Sequence, residues 1–393
     1  DKQWRSLNQK VDKLKYKRNK VSEEINKLKK AGKSTKKKIK EMKSVAQKIR
    51  KQDEKIKLKA DQRDKLRYKI GNILHKSVPA GAEEVTVRTF GKKPKFKFTP
   101  KSHTQLLEDL DIADIERAAK VAGSRFYYLK NELVLLNLAL QTFAMNYLYK
   151  KKYVPMYTPF MMNRKAIEGA AELADFETML YKLQGEDLFL IATAEQTLAG
   201  YHMNEIINET KLPIKFVGFS TNFRREAGSH GIDTKGIFRV HQFDKVEQYV
   251  LCKPENSWKM HEEMIKNAEA IFKALKIPYR VVNIPAEDMN DNAAKKYDIE
   301  AWMPAQQKYR EVVSCSNCTD YQSRKLDIKL QRKIGKREIL HVLNSTLCAT
   351  QRAIVAILEN FQQKDGSVKI PKPLWKYTGF KVIKPKKTKT KKK

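Results

Sequence analysis

Phe223-Arg224-Arg225-Glu226-Ala227-Gly228-Ser229-His230-Gly231, followed after four intervening residues by Gly236-Ile237-Phe238-Arg239-Val240-His241-Gln242-Phe243-Asp244-Lys245-Val246-Glu247, is the stretch on which the fold turns. Side chains of an extended chain alternate faces, so Arg224 and Glu226 point one way. By the same period Arg239, His241, Phe243, Lys245 and Glu247 line one face of a second strand, and Val240 and Val246 fall on the other. Two strands joined by a Gly-rich loop, with cations, an acid and one aromatic in register, suit a nucleotide. Guanidinium groups hold phosphates, a ring takes the base, and a carboxylate takes a cationic or hydroxyl group. The competing reading is a solvated hairpin face. A Phe in mid-row, with a cation two residues away on either side, argues against it.

Outward from that hairpin, composition sets the frame. The chain has 393 residues, 41% hydrophobic and 32% charged, which supplies a full-sized core plus an appended element. Net charge is +36, and it is unevenly placed. Residues 1–80 carry 28 Lys/Arg against 9 Asp/Glu, residues 381–393 carry 8 Lys and no acid, and only +9 remains for everything between. A surplus gathered at the two ends points to a polyanionic partner, nucleic acid first. No apolar run of about 18 residues exists to span a membrane. Four cysteines make no disulfide framework, which places the chain in a reducing, cytoplasmic compartment. Cys315 and Cys318 have half-site spacing, but no second pair follows, so no structural zinc is expected.

Trp4, Leu7, Val11, Leu14, Val21, Ile25 and Leu28 keep a 3,4 spacing broken only at Arg18, which predicts a coiled-coil helix over residues 2–30. Ala31-Gly32-Lys33-Ser34 interrupts it. Ile39, Met42, Ala46, Ile49 and Ile56 begin a second, looser seam that ends near Leu66, Ile70 and Ile73. Two antiparallel helices of roughly 45 Å or more would pack together, with largely Lys outer faces and no room for a ligand pocket. A dimerising coiled coil is the alternative. Residues 1–74 therefore read as a basic helical hairpin and 75–105 as a linker containing at most one short strand. Residues 106–380 read as an α+β domain with a mainly antiparallel sheet, and 381–393 as a disordered Lys-rich tail. Within the domain, helical patterning over Asp111–Ala122 leads to a long apolar helix, Leu133–Tyr149.

Three more segments carry chemistry. Thr193-Ala194-Glu195 precedes a helical stretch, where Thr193 and Gln196 could form a capping box. Arg310–Cys318 alternates like a strand, placing Glu311 and Ser314 close but on opposite faces unless a bulge intervenes. Leu343-Asn344-Ser345-Thr346 opens a final helix with Leu347, Ile354, Ile357, Leu358 and Phe361 as its apolar stripe. Arg352 lies about 200° from Ile354 and so off that stripe.

In order and spacing, these segments resemble the class II aminoacyl-tRNA synthetases, specifically the seryl-tRNA synthetases of the archaeal and eukaryotic cytosolic type. Phe223 through Glu247 resembles that family's motif 2, Thr193-Ala194-Glu195 its substrate loop, and Asn344 through Arg352 its motif 3. Tyr153 to Pro159 resembles motif 1, which implies a homodimer interface there. The strings Ser314-Cys315-Ser316-Asn317 and Arg239-Val240-His241-Gln242-Phe243 are the serine-specific ones.

The resemblance implies ATP, L-serine and tRNA(Ser) as substrates, tRNA(Sec) where one is present, and Mg2+ as cofactor. It implies Arg224 on the α-phosphate and substrate carboxylate, and Arg239 on the γ-phosphate. Phe243 would lie against adenine with Arg352 on its other side, and Glu226 and Val240 would also be in contact with ATP. Glu311 and Ser314 match the magnesium-holding positions, and Thr193, Glu195, Glu247, Asn344 and Thr346 the serine pocket. Arg224, Arg239 and Arg352 are the implied catalytic cations. In the hairpin, Lys13, Lys17, Arg18, Lys20, Lys36, Lys37 and Lys38, with Tyr16 and Tyr68 interleaved, are the implied tRNA contacts, and one subunit's hairpin would serve the other subunit's site.

The chain departs from the family pattern at Ile232, where a cation is usual, and at Lys152, where a glycine is usual. The glycines around Ala286–Asn290 and Ala305–Gln307 are also absent, so those loops are expected to use other backbone geometry. Two other readings are a ligase that loads an amino acid onto a carrier protein, and a non-catalytic RNA-binding homologue. The intact hairpin speaks against the first. Arg224, Arg239, Glu247, Glu311 and Arg352, all present, speak against the second.

Overall fold

Apolar residues three and four apart make Lys2–Lys30 (α1) and Lys36–Arg67 (α2) bury one stripe each, and the stripes meet. Val11, Val45 and Ile49 form the centre of the seam, with Leu14 and Ile56 against it. In the second seam Val45 takes the place expected of Ala46, which is exposed. Val45 keeps the 3,4 spacing between Met42 and Ile49, and its larger side chain removes more apolar surface from water. The aliphatic seam also stops short of its expected end: Leu66, Ile70 and Ile73 are 68%, 67% and 87% exposed. Near the open end the Arg63 guanidinium lies 4.2 Å over the Trp4 ring instead.

The computed structural model describes residues 1–67, 70–171, 179–226 and 235–386, in two compact units, Asp1–Ile70 and Gly71–Lys393. Tyr68, Ile232, most of the Gly-rich loop of motif 2 and the end of the Lys tail lie outside the described residues. No described helix is long and apolar enough to cross a membrane.

The second unit is organised on eight strands: β1 Val85–Phe90, β2 Val154–Tyr157, β3 Ile214–Phe223, β4 Gln242–Cys252, β5 Tyr279–Asn283, β6 Lys295–Met303, β7 Lys308–Asn317 and β8 His341–Ala349. Their order across the sheet is β1-β5-β6-β7-β8-β4-β3-β2. Every pairing is antiparallel except β2 with β3. An α+β fold on a mainly antiparallel sheet is therefore what forms. Further helices are α3 His103–Asp109, α4 Ile115–Ala122, α5 Glu132–Lys150, α6 Ala194–Gly200, α7 Ser257–Leu275 and α8 Thr350–Phe361. Leu133, Leu136, Leu140, Ala144 and Leu148 give α5 a continuous buried stripe, and Met264, Ala268, Ile271 and Leu275 do the same for α7. Both stripes enter one core with Val246 and Val250 of β4.

Local expectations fail where tertiary pairing outweighs local pattern. The second strand of the motif 2 hairpin starts at Gln242, so Arg239 and His241 precede it in a turn. Ile237, Phe238 and Val240 are all buried there, which a half-buried alternating strand could not achieve. Gly236 opens this turn at φ +73, where a Cβ would collide with the buried His103 ring. Leu347 belongs to β8 and not to the final helix, because pairing with β4 continues to Ala349 opposite Lys245. Helix α4 begins only at Ile115, after Asp114, whose side chain accepts from the Arg117 N–H as the N-cap.

Candidate active site

The two strands β3 and β4 carry the core of the site. Phe243, Lys245 and Glu247 share one face of β4 and line a cleft of about 290 Å3, while Val246 turns into the core. At the end of β3, Arg224 and His241 make one backbone and one side-chain contact: Arg224 N donates to His241 O at 2.8 Å, and the His241 ring Nδ1 lies 2.8 Å from Arg224 O. These two contacts fix the Arg224 backbone, and its side chain lines the cleft. Its Nε donates to Ala192 O at 3.3 Å, and its guanidinium sits 5.1 Å from the Phe243 ring. Glu226, at φ +48, also lines the cleft, with Arg239 Nε 3.6 Å from its Oε2.

A bulge brings the third pair together. Between β6 and β7 the register runs Ile299 opposite Val313 and then Glu300 opposite Glu311, so Val312 is the extra residue. One inserted residue restores a common face to Glu311 and Ser314, and both line the cleft. Arg352, two residues into α8, donates to Glu311 O at 3.0 Å and pairs with Glu311 Oε1 at 3.0 Å. That guanidinium holds the Glu311 carboxyl below its ordinary value. Arg352 also lies 5.0 Å from the ring of Phe238, another cleft residue.

The deep end is polar and largely buried. Thr193 caps α6, its hydroxyl accepting from Glu195 N at 3.2 Å, while Gln196 Oε1 accepts from Ala192 N at 2.8 Å. The reciprocal capping box is thus displaced by one residue. Glu195 Oε1 accepts from Gln322 Nε2 at 2.8 Å and from Asn344 Nδ2 at 2.9 Å. Thr346 stands opposite Glu247 across β8 and β4. Glu247 is 1% exposed and 2.6 Å from Lys245 Nζ, and burial raises its carboxyl above the ordinary range against the pull of that lysine.

Thr193, Glu195, Arg224, Glu226, Arg239, Val240, Phe243, Glu247, Glu311, Ser314, Asn344, Thr346 and Arg352 all line this single cleft. In the other unit Lys13, Lys17, Arg18, Lys20, Lys36 and Lys37 are exposed. Lys38 is half-buried and tied to Glu24 at 2.6 Å and Glu41 at 3.2 Å, and Lys17 also pairs with Glu41 at 3.2 Å. These two lysines therefore join α1 to α2 as well.

Sequence reasoning missed several residues that set the site. Asp244 accepts from Asn137, Gln141 and Thr221, and its N–H donates to Gln351, so it locks α5, β3 and α8 behind Phe243. Its signal was an acid on the core face of β4. Asp298 faces Ser314 across β6 and β7, lines the cleft, and has an Oδ1 without a partner among the described residues. Burial, with Glu311 nearby, pushes its carboxyl upward. Gln322, which also accepts from Tyr249 OH at 3.1 Å, carried no local signal.

An antiparallel sheet whose central strands line such a cleft, with arginines from a hairpin and from the helix after β8, defines a class II aminoacyl-tRNA synthetase. The family model for the tRNA synthetase class II core domain (G, H, P, S and T) matches residues 178–361, and that for the seryl-tRNA synthetase N-terminal domain matches residues 1–74. The chain belongs to the seryl-tRNA synthetase family. The serine--tRNA ligase of Pyrococcus furiosus is 48% identical over 98% of this chain and 90% of its own length. Among solved structures, seryl-tRNA synthetase from Pyrococcus horikoshii complexed with ATP is 47% identical, with a TM-score of 0.85 over 98% of this chain and 92% of that one. The cytoplasmic serine-tRNA ligase of Naegleria fowleri in complex with AMP is 38% identical, with a TM-score of 0.81 over 98% and 91%.

Proposed function

We propose that the chain is a serine--tRNA ligase that makes seryl-adenylate from L-serine and ATP and transfers the seryl group to tRNA(Ser). The observation that carries this reading is the convergence of phosphate-binding cations, an aromatic ring and a polar, buried end in one cleft.

In the first step a serine carboxylate oxygen attacks the α-phosphorus, the bond to the bridging oxygen breaks, and pyrophosphate leaves. The carboxylate is already ionised at neutral pH, so no general base is needed, and alignment and positive charge are what the site must supply. Arg224, held against Ala192 O and Phe243, takes the carboxylate and α-phosphate together in this reading. Arg239, 38% exposed, takes the γ-phosphate, and Phe243 takes the adenine with Arg352 beyond it and Glu226 at the edge. In the second step the terminal ribose hydroxyl of the tRNA attacks the seryl carbonyl, and AMP leaves.

Glu311 and Ser314 fit magnesium, since both are oxygen donors, Arg352 keeps Glu311 ionised, and Asp298 presents an unpartnered oxygen beside them. Bound there with the phosphates, the ion would neutralise charge on the departing pyrophosphate. Among the described residues no group of three acidic, His or Cys side chains gathers to hold a metal alone, which is consistent with a site completed by substrate.

Thr193, Glu195, Glu247, Asn344 and Thr346 line the amino-acid end. Alanine would be rejected strongly there, because it leaves buried polar groups unpaired, whereas threonine must be excluded by size. Val154 and Tyr157 on the edge strand β2 are 51% and 78% exposed, and Leu135 and Leu138 on α5 are 47% and 51% exposed. An apolar edge of this kind supports a homodimer through Tyr153–Pro159.

The test is ATP–pyrophosphate exchange across all twenty amino acids. Exchange should require serine and be lost in Arg224→Ala and in Glu247→Ala. Exchange persisting in both variants would show that the pocket is elsewhere.

A further inference from the structure

Residues 92–101, Lys-Lys-Pro-Lys-Phe-Lys-Phe-Thr-Pro-Lys, hold five lysines and no acid, and none of the roles above uses them. From Lys93 to Pro100 exposure alternates strictly. Lys93, Lys95, Lys97 and Thr99 are exposed, and Pro94, Phe96, Phe98 and Pro100 are half-buried. The segment is pinned at both ends. Gly91, at φ +78, runs so close to Pro278 that a Cβ would lie 3.1 Å from the Pro278 Cα. At the other end Lys101 N donates to Gln362 Oε1 at 2.8 Å, and Lys101 O accepts from Gln362 Nε2 at 2.9 Å. In between, Phe96 and Phe98 pack at 5.1 Å, and the Lys93 ammonium sits 3.7 Å over the Trp302 ring. This is a strap with its apolar face held down and its lysine face outward. Lys101 pairs with Asp109, but Lys92, Lys95 and Lys97 have no ion-pair partner among the described residues.

Registers fix where the strap lies. Phe90 pairs with Tyr279, Tyr279 with Ala301, Met303 with Lys308, Lys245 with Ala349 and Phe223 with Gln242. All of these pairs sit at one end of the sheet, the end that carries the β3–β4 turn and the start of α8. The basic surface continues to the rim of the cleft. Trp302 packs on Tyr309 at 5.1 Å, and the next residue, Arg310, stands 5.2 Å from the Phe238 ring that Arg352 also covers.

We propose that the strap is a second RNA-contact surface, in which Lys92, Lys95 and Lys97 bind backbone phosphates of the single-stranded acceptor end of tRNA as it enters the cleft. The proposal rests on the serine--tRNA ligase reading. Lys95 and Lys97 are alternate residues of an extended segment, about 6.6 Å apart, the scale of neighbouring phosphates along an RNA strand, and Lys92 lies three residues, about 10 Å, before Lys95. Lysines act there as point charges that position a backbone without reading its sequence. The rim location matters because the ribose hydroxyl that accepts serine must reach the same cleft.

The experiment compares the unmodified chain with the triple variant Lys92→Ala, Lys95→Ala, Lys97→Ala. Lys93 stays, so its packing on Trp302 is kept. A charge-matched control, Lys364→Ala, Lys369→Ala, Lys372→Ala, removes three exposed lysines elsewhere in the same unit. Serine-dependent exchange and charging of a tRNA(Ser) transcript are measured over a salt series. In the strap variant, exchange should stay within about twofold, while kcat/KM for tRNA falls on the order of tenfold at moderate salt. The slope of log kcat/KM against log salt should shrink by about 2, from roughly 0.7 per lost single-strand phosphate contact. Unchanged charging with intact exchange overturns the strap alone, as does an equal fall in the control. Absence of serine-dependent exchange in the unmodified chain would overturn the ligase reading and the strap with it.

Discussion

His261 lies 1% exposed inside α7, its ring 5.1 Å from Tyr297 and its Nε2 3.0 Å from Cys315 O. A carbonyl only accepts, so Nε2 carries the proton of a neutral imidazole. Burial pushes the group down to about 4, from an ordinary 6.5. Between those values the unfolded chain binds a proton that the folded chain refuses, so stability is lost as pH falls from 6.5 towards 4. The shift corresponds to about 3 kcal/mol across that window. Thermal unfolding followed at pH 7 and at pH 4.5 should show this loss in the unmodified chain and a much smaller one in His261→Gln. Parallel curves for the two would refute it. At this scale the sequence was informative where one period governs a side chain: Phe243, Lys245 and Glu247 share a face because β4 alternates. It was silent on Asp298 and Gln322, whose surroundings come from distant segments.

Among the elements, two of the three places that lack the family's glycines keep a glycine-like backbone, while Ala286–Asn290 shows no positive φ. Lys152 has φ +67 and Gln307 φ +52, contrary to the expectation of other geometry at Gln307. The neighbouring chain fixes these turns: Lys152 N donates to Tyr149 O, and Gln307 N to Pro304 O. A left-handed non-glycine costs about 1–2 kcal/mol, and glycine gives back about 0.4–1 kcal/mol through unfolded-chain entropy. Lys152→Gly should therefore stabilise by roughly 0.5–1 kcal/mol, while Lys152→Ala should not. Gln307→Gly should gain little, since it also loses the bond from Gln307 Nε2 to Pro304 O at 2.6 Å. Denaturant midpoints of the three variants check this, and a destabilised Lys152→Gly would contradict it. The bulge at Val312 belongs to this scale too. Alternation of residues 310–318 predicted a strand, but only pairing with β6 decided that Glu311 and Ser314 face the same way.

For the whole molecule, the division of labour follows from charge and packing. The hairpin has its own small apolar seam, Val11, Val45 and Ile49, and the cleft lies wholly within residues 170–352. Deleting residues 2–70 should leave serine-dependent exchange largely intact and raise the KM for tRNA, and sedimentation should still report a dimer if the β2 edge forms it. Unaffected charging would mean that the hairpin serves another partner. The sequence alone determined the helical hairpin and the mainly antiparallel sheet and, through the motif resemblance, many of the residues that line the cleft, because hydrophobic period and motif spacing are local and survive being read in one dimension. The tertiary structure alone decided where β4 begins, that Leu347 lies in a strand, the Val312 bulge and the Asp244 hub. Each depends on which strand pairs with which, and pairing energy is gained between residues tens to hundreds of positions apart, where no local pattern records it.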